Sequence, residues 1–197
     1  MTIRVKFERP WTADEFVQTD QTQFGPLWRY ELVDGRIVGH AAPSPEHAAI
    51  LFGLSGALHR AMEGKAPGCR GETGSAATPR SEQRNTARIP DLLIRCGEHP
   101  RVAFDIVSPS EIRDWRGRDR KREHLQAVAG MEEIVELFQD DHACHIYRSD
   151  PASDRWTFEA LGGVDGVLRL ESLGVEVALS EVYALASLPQ RDQDSSG

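Results

Sequence analysis

The most constraining stretch of this chain is Val102-Ala103-Phe104-Asp105-Ile106-Val107, which sets an aspartate in the middle of an apolar run of strand length. Such a run reads as a short buried strand. A carboxylate inside one is costly unless it is paired, protonated or bound to metal, so any fold of this chain must give Asp105 a partner. A second carboxylate, Asp91, opens the apolar run Leu92-Leu93-Ile94. Between the two runs, Cys96-Gly97-Glu98-His99-Pro100 has the composition of a turn. Downstream lies a basic helical segment, RDRKREHL at 118–125, in which Lys121 is the only lysine between Asp105 and the C-terminus. Two carboxylates on apolar runs with a lysine nearby can bind a divalent metal and cut a phosphodiester.

Pro90-Asp91 followed by Asp105-Ile106-Val107 resembles the PD-(D/E)xK nuclease superfamily. Ser108-Pro109-Ser110, Lys121 and the run 133–137 point within it to the Uma family of bacterial restriction endonucleases. RYELVDGRIV at 29–38 and SLGVEVALSEVY at 172–183 extend the similarity over roughly 12–183. The resemblance implies a restriction endonuclease-like α/β fold, a mixed sheet flanked by helices with additional hairpins. It also implies a magnesium or manganese ion on Asp91, Asp105 and the Ile106 carbonyl. The superfamily's usual lysine position falls on Val107, and in this branch the lysine has moved to the following helix, where Lys121 stands. Asp105 itself occupies a position where the family usually carries glutamate.

The rest of the chain supports one domain over 1–189. At 197 residues and 40% hydrophobic it can bury a sizeable core. No apolar stretch nears the roughly 18 residues of a membrane span, and MTIRVKFERP lacks a signal peptide's apolar core. Cys69, Cys96 and Cys144, odd in number and without a CxxC, favour reduced thiols in the cytoplasm. The polar tail 190–197 is expected to be disordered.

Thr12 and Glu15 form a capping box for a short helix ending near Thr19, with Trp11 placed to staple onto Phe16. Asp34-Gly35 marks a hairpin between 29–33 and 36–38. Glu31 on its first strand is either a solvent-facing residue or, as the resemblance implies, an accessory acid near the metal. Ser44 and Pro45 start the longest helix, on which Ile50, Leu51, Leu54, Leu58 and Met62 fall at helical spacing and which stops near Gly64. His47 on its first turn is either a core-edge histidine or, by the family match, a contact to phosphate or metal-bound water. One strand is expected at 69–77 and a loop at 78–86. A helix follows at 119–128, with strands at 134–138 and 144–147. Segments 156–161 and 167–170 suggest a further hairpin, and Ser180 a cap for a helix at 181–186. His142, Cys144 and His145 match no zinc pattern, because alternation separates Cys144 from His145.

The expected function is a magnesium-dependent nuclease acting on nucleic acid, DNA ahead of RNA. The net charge of −8 counts against a general duplex-coating protein. Arg113, Arg116, Arg118, Arg120, Lys121 and Arg122, diluted by Asp114, Asp119 and Glu123, read as a solvated helix face. Three alternatives stay open: a former nuclease that binds nucleic acid without cutting, a protein-interaction module, and a small-phosphoester hydrolase. A homodimer is compatible with cutting both strands, although no stretch demonstrates one.

Overall fold

The computed structural model describes residues 2–4, 9–26, 29–79, 85–153 and 155–188. The tail at 190–197 and residues 80–84 of the expected loop lie outside them. Among the described residues the centre is a six-stranded sheet in the order β4 (Cys69–Glu72), β5 (Leu92–Cys96), β6 (His99–Val107), β7 (Glu133–Phe138), β8 (Ala143–Asp150), β9 (Arg155–Gly162). Only β6 and β7 run parallel, joined by α3 (Pro109–Arg113) and α4 (Trp115–Gln126), as a parallel crossover requires. The other neighbours are antiparallel. No helix among the described residues is long and apolar enough to cross a membrane.

The alternation of β6 builds both cores. Val102, Phe104 and Ile106 face α2 (Pro45–Met62), which buries Ile50, Leu54, Ala57 and Leu58 at helical spacing. Each of these side chains apart from Ala57 contributes about 1.5–3 kcal/mol of apolar burial. Ala103 faces the opposite way, where Leu125 of α4, Val128 and Met131 cover it. Asp105 shares Ala103's phase, and Lys121 precedes Leu125 by one helical turn. The sheet alternation and the helix period therefore deliver the aspartate and the lysine to the same place.

A second, smaller sheet holds β1 (Thr2–Arg4), β3 (Arg36–His40) and β2 (Arg29–Val33). Its hairpin turns at Asp34-Gly35, both with positive φ (48° and 75°), the conformation the Asp-Gly pair predicts. The capping box of Thr12 and Glu15 starts α1 (Ala13–Gln18). Trp11 and Phe16 both meet Phe24 of the 3-10 turn Gln21–Phe24. Ala87 pairs with Leu32 and Arg88 with Ala77, which stitches this sheet to the approach of β5.

Several expectations are corrected. Cys69 and Cys96 face each other in the β4–β5 register and form a disulfide, so only Cys144 is free; the cytoplasmic reading loses its support from reduced thiols. Segment 156–161 pairs with β8, not with 167–170. The latter, β10 (Val167–Leu170), pairs with β11 (Val175–Ala178). Helix α5 (Leu179–Val182) starts two residues early, with Ala178 at the N-cap and no side-chain cap, so Ser180 caps nothing. Ser108 both ends β6 and caps α3 through a capping box with Glu111, and α4 begins at Trp115 rather than near Asp119. Buried Cys144 belongs to the α2 core, on the face opposite His145.

Candidate active site

Asp91, just before β5, donates its N–H to the Phe104 carbonyl at 3.0 Å, which brings it beside Asp105 on β6. Asp91 Oδ2 accepts the Ile106 N–H at 2.8 Å, so the carboxylate stands in for the backbone acceptor where β5 begins. The N–H and C=O of one strand residue leave on the same side. The Ile106 carbonyl therefore points to the same edge as Asp91.

Lys121 Nζ donates to Asp105 Oδ1 at 2.6 Å and lies 3.6 Å from Glu31 Oε1. It is half-sequestered between helix and sheet rather than solvated. Burial works against its charge, but Asp105 and Glu31 outweigh burial and raise its pKa, so it stays an ammonium. Val107, at the superfamily's usual lysine position, is buried.

Glu31 is not the solvent-facing strand residue that one reading allowed: it is 1% exposed. Its carboxylate accepts from Arg88 Nη1 and from the Ile89 N–H, both at 3.0 Å, with His40 Nε2 at 3.4 Å. Burial alone would push Glu31 up, yet Lys121, His40 and Arg88 hold it well below its ordinary range. Arg88 Nε in turn donates to His124 Nδ1 at 3.0 Å. Burial and Arg88 lower His124 to about 4, which keeps that ring able to accept. Glu31 thus anchors a buried chain that ends on Lys121.

His47 and Arg29 both meet Asp91. His47 Nε2 lies 3.3 Å from Oδ1, and Arg29 Nη1 donates to the same oxygen at 2.7 Å. Burial raises Asp91, but the His47 hydrogen bond, Arg29 and Lys121 bring it well below the usual carboxylate range. Asp105 moves the other way, raised by burial and by the charge of Asp91 against the pull of Lys121. Asp91 opens onto a cleft of about 910 Å³ that also takes in Arg29, His47, Phe52, Ser108 and Gln139.

All five expected residues, Glu31, His47, Asp91, Asp105 and Lys121, meet in one cluster. Arg29, His40, Arg88 and His124 were not foreseen. Arg29 had one signal, since two residues before Glu31 on a strand it shares that residue's face. The expected solvated face is found at Arg113, Arg116 and Arg120, whereas Arg118 and Arg122, like Lys121, turn toward the sheet. Arg118 approaches Glu136 at 3.4 Å, Arg122 binds Asp119 and Tyr147, and Arg120 pairs with Asp34.

The mixed sheet, with one parallel pair and helices on its faces, defines an α/β fold. Among solved structures, that of a putative nuclease belonging to DUF820 from Anabaena variabilis ATCC 29413 matches with a TM-score of 0.65 at 15% identity. The match covers 89% of this chain and 99% of that one. At that identity the likeness establishes the fold. Residues 13–180 match the family Uma2, described as putative restriction endonuclease, and the chain belongs to that family. None of the curated proteins matches it.

Proposed function

We propose that this protein is a metal-dependent nuclease that hydrolyses phosphodiester bonds, in DNA ahead of RNA. The observation that carries the reading is the 2.6 Å contact between Lys121 Nζ and Asp105 Oδ1, made by a lysine arriving from helix α4. It supplies the cation that Val107 cannot.

Magnesium or manganese fits the donor set. Among the described residues no three His, Cys, Asp or Glu side chains form a ready cage. Magnesium, however, commonly rests on one or two carboxylates with substrate oxygens and water. Asp91 lies near enough to Asp105 for its charge to raise the pKa of Asp105, a repulsion that a divalent cation relieves. They would hold the ion with the Ile106 carbonyl. Bound there, it supplies an activated water and charge neutralisation at the phosphate.

The chain's own groups do the rest. Lys121, kept protonated, orients the attacking water or steadies charge developing on the phosphoryl oxygens. Glu31 acts through Lys121 as a positioning residue. His47, beside Asp91 and open to the cleft, is placed to donate to a phosphate oxygen. Cutting both strands of a duplex would take a second copy of the chain.

The test is cleavage of labelled single- and double-stranded DNA and RNA under magnesium and under manganese. The wild type cuts, and Lys121→Ala loses about two to three decades of rate. Because Asp105 and Glu31 also lose a partner, the rate is scored on the fraction that circular dichroism shows to be folded. Arg120→Ala and Arg122→Ala lose less. Equal losses in all three would make Lys121 part of a basic patch. One observation favours a second reading, a nuclease fold that binds without cutting: Arg29 already occupies Asp91 Oδ1 at 2.7 Å, where a metal would compete with it. A wild type inert on every substrate decides for that reading.

A further inference from the structure

On the α4 face of the sheet, one register row runs outward from the site: Asp105 opposite Glu136, Glu136 opposite His145, His145 opposite Ala160. Beside it Tyr147 stands opposite Phe158. The rings form a connected platform. Phe138 and His145 lie 4.7 Å apart, His145 and Phe158 5.0 Å, and Tyr147 and Phe158 5.3 Å. Phe158 is 58% exposed on the outermost strand. Arg122 lies 4.5 Å over the Tyr147 ring, and Arg116 stacks on exposed Trp115 at the start of α4.

At the centre of the row the polar groups are unfinished. Arg118 Nε, Glu136 Oε2 and His145 Nδ1 are buried and have no hydrogen-bond partner among the described residues. The 3.4 Å and 3.9 Å separations from Glu136 to Arg118 and His145 are ion-pair distances without hydrogen-bond geometry. Glu133, three residues earlier on the same strand, shows what a finished site looks like. Its carboxylate accepts from Arg148, the Glu171 and Ser172 N–H groups and the Ser172 hydroxyl. Buried polar atoms left open in this way mark a place where a partner is missing.

Resting on the nuclease reading, we propose that this face binds an unpaired strand of nucleic acid. A base stacks on exposed Phe158, and the chain follows the edge of α4, which roofs Glu136, with Arg118 taking a phosphate on the way to Asp105. Aromatic rings on a sheet with arginines beside them fit single strands, because bases must be unstacked to lie on them. Three strand spacings, roughly 14 Å, separate Asp105 from β9. Duplex DNA would instead need a broad basic surface, which a chain of net charge −8 lacks.

The experiment is fluorescence anisotropy in EDTA, so that nothing is cut. The probes are a labelled oligothymidylate of about twelve nucleotides, within the usual range of such sites, and a duplex of equal length. The wild type binds the single strand more tightly. Phe158→Ala weakens it about ten-fold or more, Phe158→Tyr restores it, and Arg118→Gln weakens it and lowers the salt slope by about 0.7. Duplex bound equally or better, no binding at all, or Phe158→Ala binding like the wild type each overturns the proposal. So does sedimentation in which Phe158→Ala dissociates a dimer, which would make the patch an interface between copies. Cleavage under magnesium is scored separately. A wild type that cuts but does not prefer single strands refutes only this proposal. One that binds single strands through Phe158 yet never cuts refutes only the nuclease reading.

Discussion

Glu136→Gln removes a buried and poorly paired carboxylate. The side chain sits on the central strand β7, 2% exposed, and its Oε2 has no hydrogen-bond partner among the described residues. Burial raises its pKa from an ordinary 4.5 to about 7; Arg118 and Arg122 oppose the shift, and Asp105 and Asp119 add to it. The folded state thus binds this proton more tightly than the unfolded chain does. The stability it contributes is complete below about pH 4.5 and lost as pH rises through about 7. At about 1.4 kcal/mol per pKa unit the whole effect is roughly 3 kcal/mol. Glutamine keeps the shape and cannot ionise, so the variant has no such slope. Urea unfolding followed by tryptophan fluorescence at pH 5, 6, 7 and 8 measures both proteins. The stability difference between variant and wild type should move by about 2–3 kcal/mol in the variant's favour from pH 5 to pH 8. Parallel stability curves would refute the argument, because they would mean that Arg118 and Arg122 keep Glu136 ionised throughout.

Magnesium or manganese should raise the melting temperature of the wild type through binding to the folded state alone, and Asp105→Asn should lose most of that rise. An equal rise in both would put the ion elsewhere. Gly53→Ala should destabilise by about 1–3 kcal/mol despite alanine's better helix propensity. The added Cβ would sit 2.2 Å from the Val182 carbonyl oxygen where α2 crosses α5, so an unchanged melting temperature would contradict that close approach. Replacing Cys69 and Cys96 together by serine should cost about 3.5 kcal/mol, the loop-closure value for a separation of 27 residues. A double variant as stable as the oxidised wild type would show that the β4–β5 pairing alone holds this edge.

The sequence by itself determined what could be read from neighbours in the chain. Thr12 with Glu15, Ser44 with Pro45, and Asp34 with Gly35 fixed their caps and turn because each acts within four residues. Asp105 announced the site because a charge on a buried strand demands a partner, and the 3.6-residue period of 121 and 125 was compatible with Lys121 being that partner. Tertiary structure decided the rest. The Cys69–Cys96 bond depends on a register between strands 27 residues apart, which the odd cysteine count concealed. Which segments pair at 155–178 depends on the sheet edge that β8 offers, since local pattern marks a strand without naming its neighbour. Glu31 looked like any alternating strand residue until Arg88, His40 and Ile89 came around it from two other segments. Arg29, 62 residues from Asp91, and Arg118, 18 residues from Glu136, took their positions only when sheet and helix packed. A charge's partner is chosen by distance in space, and the sequence encodes that distance only through the whole fold.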